Sequence, residues 1–318
     1  MKGVFLDLDT VSHQGDVKLR PLEKVLSVLK VYATTPPGKV VEHAAGAEVV
    51  IANKVRLDAD MIRRLDGVRL ICLAATGVNN VDLAAAFEKG IGVCNVPAYS
   101  TQAVAQHVFA LILALNQHLD GYQMLLRDGA WKRAPQFTLL DYPIRELAGR
   151  RLGILGYGDI GKAVGGIAEA FGMTVLLAAR GKDDKRPGRV PLDNLLPVVD
   201  VLSIHLPLTK ETRGLLGARE LTLMQPGAIL INTARGAIVD ERALAALLKA
   251  GRLGGAGIDV LSEEPPVNGN PLLEPGIPNL IVTPHVAWAS KEARQRVLQE
   301  VALNIAAFQQ GELRNRKA

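Results

Sequence analysis

Residues 151–180 read RLGILGYGDIGKAVGGIAEAFGMTVLLAAR, and this stretch decides the fold. Leu152 to Leu155 is a short apolar run able to pair as a buried parallel strand. Gly156, Gly158 and Gly161 follow in GxGxxG spacing. Ala163 to Phe171 carries the small and apolar residues of a helix packed on a sheet, Gly172 ends it, and Met173 to Ala178 reads as the next strand. Strand, glycine turn, helix and strand form the context in which this spacing points to a dinucleotide site. The first glycine permits the tight turn, the second lets backbone approach a pyrophosphate, and the third lets helix and strand pack closely. Free N–H groups at the positive end of the helix would receive the phosphates.

Working outward, the 318 residues suffice for two domains of ordinary size. With 48% hydrophobic and 22% charged residues, the composition is that of a soluble globular protein. The formal charge of +5 suits anionic small ligands. The basic residues are scattered apart from Arg314, Arg316 and Lys317, and aromatic residues are scarce, so no nucleic-acid partner is expected. Cys72 and Cys94 sit in apolar runs and read as core residues of a reducing compartment. No CxxC or HExxH occurs, and no metal site is expected. The N-terminal MKGVFLDLD lacks a signal-peptide core and no segment suits a membrane, so a cytoplasmic location is expected.

Before residue 97 the chain alternates strand and helix patterns. Strands are predicted at Val4–Leu8, Gly46–Ile51, Leu70–Leu73 and Ile91–Val96, and helices at Pro21–Leu29, Asp58–Leu65 and Val81–Glu88. Ser100 to Leu119 reads as one long apolar helix, crossing from one domain to the other. Gly121 to Gly149 is less regular, a surface excursion or a partner-facing arm. Further strands are predicted at Asp200–His205, Ala228–Asn232, Gly255–Val260 and Asn279–Val282, and helices at Val239–Lys249 and Ser290–Phe308. The last helix can return to the first domain. The expectation is an α/β chain of two doubly wound parallel-sheet domains. A Rossmann domain (99–287, with an arm at about 121–149) would be inserted in a smaller flavodoxin-like domain (1–98 plus 288–318).

Ligands of open parallel sheets bind beyond the carboxyl ends of the strands. Polar residues there are Tyr157, His205, Thr209, Thr233, Arg235, Asp259, Glu263, Glu264, Thr283 and His285. An arginine, a carboxylate and a histidine at successive strand ends suggest an anion clamp and an acid/base beside a cofactor. His13 and His43 read as surface residues, and His107 and His118 as helix residues at the domain junction.

Five segments, GYGDIG (156–161), VDVLSIHLPLTKET (199–212), INTARGAIVDERAL (231–244), GAGIDVLSEEPP (255–266) and TPHVAWAS (283–290), resemble the D-isomer-specific 2-hydroxyacid dehydrogenases in order and spacing. TPHVAWAS together with VAQHVFALIL (104–113) is most similar to the glycerate dehydrogenase or hydroxypyruvate and glyoxylate reductase branch. The resemblance implies an NAD(P)-dependent oxidoreductase of small 2-oxo acids, with Arg235, Glu264 and His285 as the catalytic trio. Glu264 is chosen over Glu263 because it directly precedes Pro265. His285 would exchange the proton, Glu264 would hold its ring and favour its cationic form, and Arg235 would bind the substrate carboxylate.

The same resemblance places substrate contacts at Thr76, Gly77 and Val78, with Trp288 either lining the pocket or packed at the helix start. It places cofactor contacts at Thr101, at Gly156, Tyr157, Gly158, Asp159, Ile160 and Gly161, at His205, Pro207 and Thr212, at Thr233, Ala234 and Asp259, and at His285. The arm matches a dimer-forming excursion and implies a homodimer. The family's acidic ribose contact falls on Ala179, while Arg180 and Lys182 follow at once, with Lys185 and Arg186 beyond. Cations there suit a 2′-phosphate, so NADP(H) is expected over NAD(H). A 3-phosphoglycerate dehydrogenase is the alternative enzyme, a formate dehydrogenase is disfavoured by Glu264, and a dinucleotide-sensing corepressor is the alternative of another class.

Overall fold

The structure, a computed structural model, describes residues 1–181, 184–312 and 314–318. Lys182, counted above among the cations beside the ribose, lies outside the described residues, as does Asp183. Short apolar runs become parallel strands in two separate sheets. One unit comprises Met1–Ser100 with Trp288–Ala318, and the other Thr101–Ala287.

In the first unit the strands are β1 (Lys2–Phe5), β2 (Val28–Val31), β3 (Val49–Ala52), β4 (Leu70–Leu73) and β5 (Gly92–Cys94). All pair parallel, in the flavodoxin-like order β2-β1-β3-β4-β5. Every residue of β3 and β4 is buried, as a central strand covered on both faces requires. The helix Lys291–Gln309 belongs to this unit and packs on β4. Its N-cap Ser290 accepts from Ala293 N at 3.2 Å. Cys72 and Cys94 are buried neighbours on β4 and β5, and burial pushes the Cys72 thiol up.

In the second unit the strands are β6 (Arg151–Leu155), β7 (Thr174–Ala178), β8 (Arg189–Val190), β9 (Val201–Ile204), β10 (Ile229–Asn232), β11 (Gly255–Ile258) and β12 (Leu280–Val282). They run parallel in the order β12-β11-β10-β9-β6-β7-β8, a Rossmann sheet. The direction of winding reverses at β6, which pairs with β7 on one side and β9 on the other. That reversal opens a crevice beyond the strand ends, where a doubly wound sheet binds its ligand. The helix Thr101–Asn116 buries Val104, Val108, Leu111, Ile112 and Leu115 against β10, β11 and the helix Asp159–Ala170.

Two predicted helices and one residue reading differ. The helix expected over Pro21–Leu29 is only Arg20–Glu23, and the next apolar residues form β2. Val28 and Val31 are β-branched and find β1 as a pairing partner, which local helical spacing does not reveal. The single helix expected over Ser100–Leu119 stops at Asn116, and a second helix runs Leu119–Arg127. Between them His118 takes a left-handed conformation, φ 47°, and its ring stacks on Tyr142. His118 is thus the N-cap of the second helix rather than a residue within the first. His43, read as a surface residue, is half-buried, stacked on Tyr32 at 3.6 Å, with Nδ1 2.9 Å from Thr35 Oγ1.

Candidate active site

Three adjacent strands of the second unit end in the three residues of the expected trio. Arg235 follows β10, Glu264 follows β11 and His285 follows β12. Because the strands are parallel, all three loops leave from the same edge of the sheet. His285 Nδ1 lies 2.7 Å from Glu264 Oε2. The other Glu264 oxygen accepts from Leu261 N at 2.9 Å, so the carboxylate is fixed at both ends.

Each loop is braced by side chains outside the trio. Asn232, 1% exposed at the end of β10, donates from Nδ2 to Arg235 O and accepts from Ala234 N, each at 3.0 Å. Gly236 is needed where the Arg235 loop meets the Glu264 loop, because a Cβ there would lie 2.0 Å from the Leu261 carbonyl carbon. Glu241 holds the Glu264 loop by accepting from Ser262 N at 2.7 Å and Ser262 Oγ at 2.6 Å.

The turn carrying His285 is clasped by Asp259, which is 1% exposed. One Asp259 oxygen accepts from Thr283 Oγ1 at 2.6 Å and Val286 N at 2.9 Å, and the other from Ala287 N at 2.9 Å. Thr283 donates to Asp259, so its hydroxyl is available to accept from His107 Nε2 at 3.0 Å. That chain assigns the Nε2–H tautomer to His107. His285 itself has φ 56°, in the left-handed region, and its N–H is held by Asp259 O at 2.8 Å. His107 and Asn232 were not singled out as site residues by sequence reasoning; the available signal was a polar residue embedded in an apolar helix or strand.

The three glycines of the turn expected to hold a dinucleotide differ in what surrounds them. Gly156 has φ 95°, and a Cβ there would lie 2.5 Å from His205 O. A Cβ on Gly161 would lie 2.2 Å from Gly156 O. A Cβ on Gly158 would meet no described atom within 4 Å, which leaves room for a ligand at the N-terminus of the helix Asp159–Ala170. Asp159 and Ile160 open that helix, and the Tyr157 ring lies 5.5 Å beneath the Arg189 guanidinium. At the end of β10, Thr233 Oγ1 is buried without a hydrogen-bond partner among the described residues, as a cofactor contact would leave it. These residues fit a nicotinamide dinucleotide.

The remaining cofactor candidates sit around the same edge. Thr101 begins the helix Thr101–Asn116, and His205, Pro207 and Thr212 follow β9. Thr212 Oγ1 donates to Pro207 O at 2.7 Å and accepts from Thr209 N at 2.8 Å, closing that loop on itself. His205 Nε2 lies 2.9 Å from Ser203 Oγ, and desolvation by burial pushes the imidazole down to about 4, so the ring is neutral at pH 7. Arg180 is exposed just past β7, and its N–H donates to Asp184 at 2.7 Å. Arg186, counted above among the cations suited to a 2′-phosphate, is committed to Asp184 through two hydrogen bonds at 2.7 and 2.6 Å. The Arg186 guanidinium in turn holds the Asp184 carboxyl well below the usual range. Ala234, next to Thr233, gives its carbonyl to Arg235 Nη1 at 2.6 Å.

The substrate candidates Thr76, Gly77, Val78 and Trp288 belong to the first unit. Thr76 Oγ1 donates to Val96 O at 2.9 Å, and Thr76 O accepts from Asn95 Nδ2 at 2.7 Å, fixing the loop after β4. Among the described residues none accepts from the N–H of Gly77 or Val78. Asn95 Oδ1 is buried and has no hydrogen-bond partner among the described residues. Trp288 meets Tyr99 edge to face, centroids 6.3 Å apart. Among the described residues no group of three or more histidine, cysteine or acidic side chains could hold a metal ion. No helix among them is long and apolar enough to cross a membrane.

Comparison with known proteins agrees with this geometry. Residues 109–287 match the family described as D-isomer specific 2-hydroxyacid dehydrogenase, NAD binding domain. The chain is 43% identical to a glycerate dehydrogenase of Methylorubrum extorquens over 314 residues, covering 99% of this chain and 98% of that one. It is 36% identical to a hydroxypyruvate reductase of Blautia hydrogenotrophica over 318 residues, covering 98% of each chain. Among solved structures, the TT0316 protein of Thermus thermophilus superposes with a TM-score of 0.86 at 36% identity, covering 100% of both chains. The glycine turn, the strand-end residues and this length-spanning similarity converge on one conclusion: the chain belongs to the D-isomer specific 2-hydroxyacid dehydrogenases, oxidoreductases with a nicotinamide dinucleotide cofactor.

Proposed function

We propose that the protein reduces a small 2-oxo acid, hydroxypyruvate or glyoxylate, to D-glycerate or glycolate, with NADPH preferred over NADH. The observation that carries the reading is the His285–Glu264 pair at 2.7 Å beside the Arg235 loop. When bound, the dinucleotide supplies or accepts the hydride. Arg235 binds the substrate carboxylate and polarises the C2 carbonyl, a task suited to a forked planar donor. His285 is held through Nδ1 by Glu264, so Nε2 is the atom that gives the proton to the nascent alkoxide, or takes it in oxidation. The N–H groups of Gly77 and Val78, which no described residue accepts from, are suited to binding a carboxylate. This reading is supported by relatives named glycerate dehydrogenase, hydroxypyruvate reductase and glyoxylate reductase.

The test is a steady-state comparison of hydroxypyruvate, glyoxylate, pyruvate and phosphohydroxypyruvate with each reduced cofactor. Hydroxypyruvate or glyoxylate should give the highest kcat/KM. A maximum with phosphohydroxypyruvate would make the protein a 3-phosphoglycerate dehydrogenase instead. Dinucleotide binding without turnover of any acid would make it a sensor.

The NADPH preference rests on Ala179 standing where an acidic ribose contact is expected, with the exposed Arg180 next to it. Replacing Ala179 with Asp and Arg180 with Ser together should move preference toward NADH; an unchanged ratio would remove Arg180 from cofactor choice. A homodimer is proposed from the arm, where Phe137 is 90% and Leu140 84% exposed beside Trp131 and Ile144. Monomers rarely leave such clustered apolar area in water. Light scattering on Phe137→Asp/Leu140→Asp should report a monomer if these side chains are buried between copies. The proposed location is the cytoplasm.

A further inference from the structure

Within the first unit, the peptide that joins Thr76 to Gly77 is hydrogen-bonded on one side only. Its carbonyl, Thr76 O, accepts from Asn95 Nδ2 at 2.7 Å. Its N–H, on Gly77, donates to no described residue, and neither does the N–H of Val78. A trans peptide is planar, with its C=O and N–H pointing in opposite directions. Anchoring Thr76 O on Asn95 therefore fixes where the Gly77 N–H points. Without the anchor the plane can turn, and a glycine, lacking a Cβ, opposes that turn least. Donation to the carbonyl also polarises the amide and strengthens the opposite N–H as a donor.

Asn95, just past β5, is itself fixed at both ends of its backbone. Its N–H donates to Asn315 O at 3.3 Å, and its carbonyl accepts from Asn304 Nδ2 at 2.9 Å. Asn304, 1% exposed on the helix Lys291–Gln309, is committed on its acceptor side too. Its Oδ1 accepts from Asn315 Nδ2 at 3.0 Å and from Arg314, which is paired with Glu300. Asn95 is buried, and its Oδ1 has no hydrogen-bond partner among the described residues. A buried acceptor left without a partner lowers stability, so what this place requires of Asn95 is its donor. Val96 adds a second tie, accepting from Thr76 Oγ1 at 2.9 Å and donating from its N–H to Ala75 O at 2.9 Å. The loop after β4 is thus tied to residues 95 and 96, and the helix and the C-terminal segment hold Asn95 in place.

We infer that Asn95 is a positioning residue: its amide sets the Thr76–Gly77 peptide so that the Gly77 N–H is presented to the substrate carboxylate. This inference rests on the reading of the protein as a 2-oxo acid reductase. It gives Asn95 a part in binding the acid and none in hydride transfer, proton transfer or dinucleotide binding. Every 2-oxo acid carries the same C1 carboxylate, so the contribution of Asn95 is shared by hydroxypyruvate and glyoxylate alike.

The experiment measures kcat and KM for hydroxypyruvate and glyoxylate at saturating NADPH, and NADPH affinity by fluorescence, in the full-length wild type, Asn95→Leu and Asn95→Ala. Asn95→Leu keeps the volume and removes the donor. KM should rise on the order of tenfold for both acids, with kcat within about threefold of wild type and NADPH affinity unchanged. A wild-type KM, a rise for one acid only, or parallel losses in kcat, KM and NADPH affinity, as a merely structural role gives, would overturn the role of Asn95 while leaving the reductase reading intact. If Asn95→Leu is not recovered folded, Asn95→Ala decides by the same criteria. Absence of turnover with either acid in the wild type would overturn both.

Discussion

Nδ1 of His285 lies 2.7 Å from Glu264 Oε2, although the two residues end different strands and stand 21 positions apart. The contact depends on neighbouring parallel strands β11 and β12 and on a left-handed backbone at His285. It ties one ring nitrogen to a carboxylate, and under the proposed function the other exchanges the substrate proton. The same arrangement makes the consequences of substitution separable.

His285→Gln should lower kcat by roughly 10²- to 10⁴-fold, the range for losing a positioned acid/base. Dinucleotide affinity, followed by NADPH fluorescence, should change little, because the glycine turn is on β6. Near-normal kcat would remove His285 from the proton transfer. Glu264→Ala should lower kcat by on the order of 10²-fold through a mis-set ring. Its effect combined with His285→Gln should be no larger than that of His285→Gln alone.

The two glycines at the start of the turn should fail in different ways. Gly156→Ala places a Cβ 2.5 Å from the His205 carbonyl at φ 95°, so expression or thermal stability should collapse. Gly158→Ala meets no described atom within 4 Å, so the apo protein should keep its melting temperature. Its methyl group would occupy the room left for the pyrophosphate, and dinucleotide affinity should fall at least tenfold. Normal NADPH binding by Gly158→Ala would count against a phosphate site at the head of this helix.

Thr283→Val removes the hydroxyl that joins His107 to Asp259. The buried Asp259 loses one donor, at a cost of about 1–3 kcal/mol, readable as a shifted denaturation midpoint. The turn carrying His285 should loosen with it, and kcat should fall more than KM rises. Thr283→Ser should restore both. If neither stability nor kcat responds, the Asp259 clasp does not position His285.

His205 gives stability a defined pH dependence. Burial holds its imidazole at about 4, below the ordinary 6.5. Between those values the unfolded chain binds the proton that the folded one refuses, so stability rises with pH. The contribution is complete above about pH 6.5 and is lost as pH falls toward 4, by on the order of 2 to 3 kcal/mol. His205→Gln should flatten that part of the profile in urea titrations at stepped pH. An unchanged slope would show that His205 is accessible to solvent protons.

Much of this was readable in residue order. The glycine spacing between two apolar runs specified a Rossmann unit because each glycine answers a local steric demand. Arg235, Glu264 and His285 stood among the polar strand-end residues because parallel strands export their following residues to one edge, and the family resemblance singled them out. The pieces that escaped were those whose cause is distant in sequence. β2 formed because β1 offered it hydrogen bonds, against helical spacing over Pro21–Leu29. His118 broke a long apolar helix where Tyr142 supplied a stacking partner.

Local pattern is therefore sufficient for the strand ends, the turn and the candidate chemistry, since these follow from sterics and periodicity within a few residues. Tertiary structure alone decided which side chains brace them. Asn95 against the Thr76 loop, Asn232 within the Arg235 loop, and Asp259 with Thr283 and His107 behind His285 are polar groups placed in apolar surroundings. A buried polar group must find its partner wherever the fold brings one, and sequence distance does not record where that is.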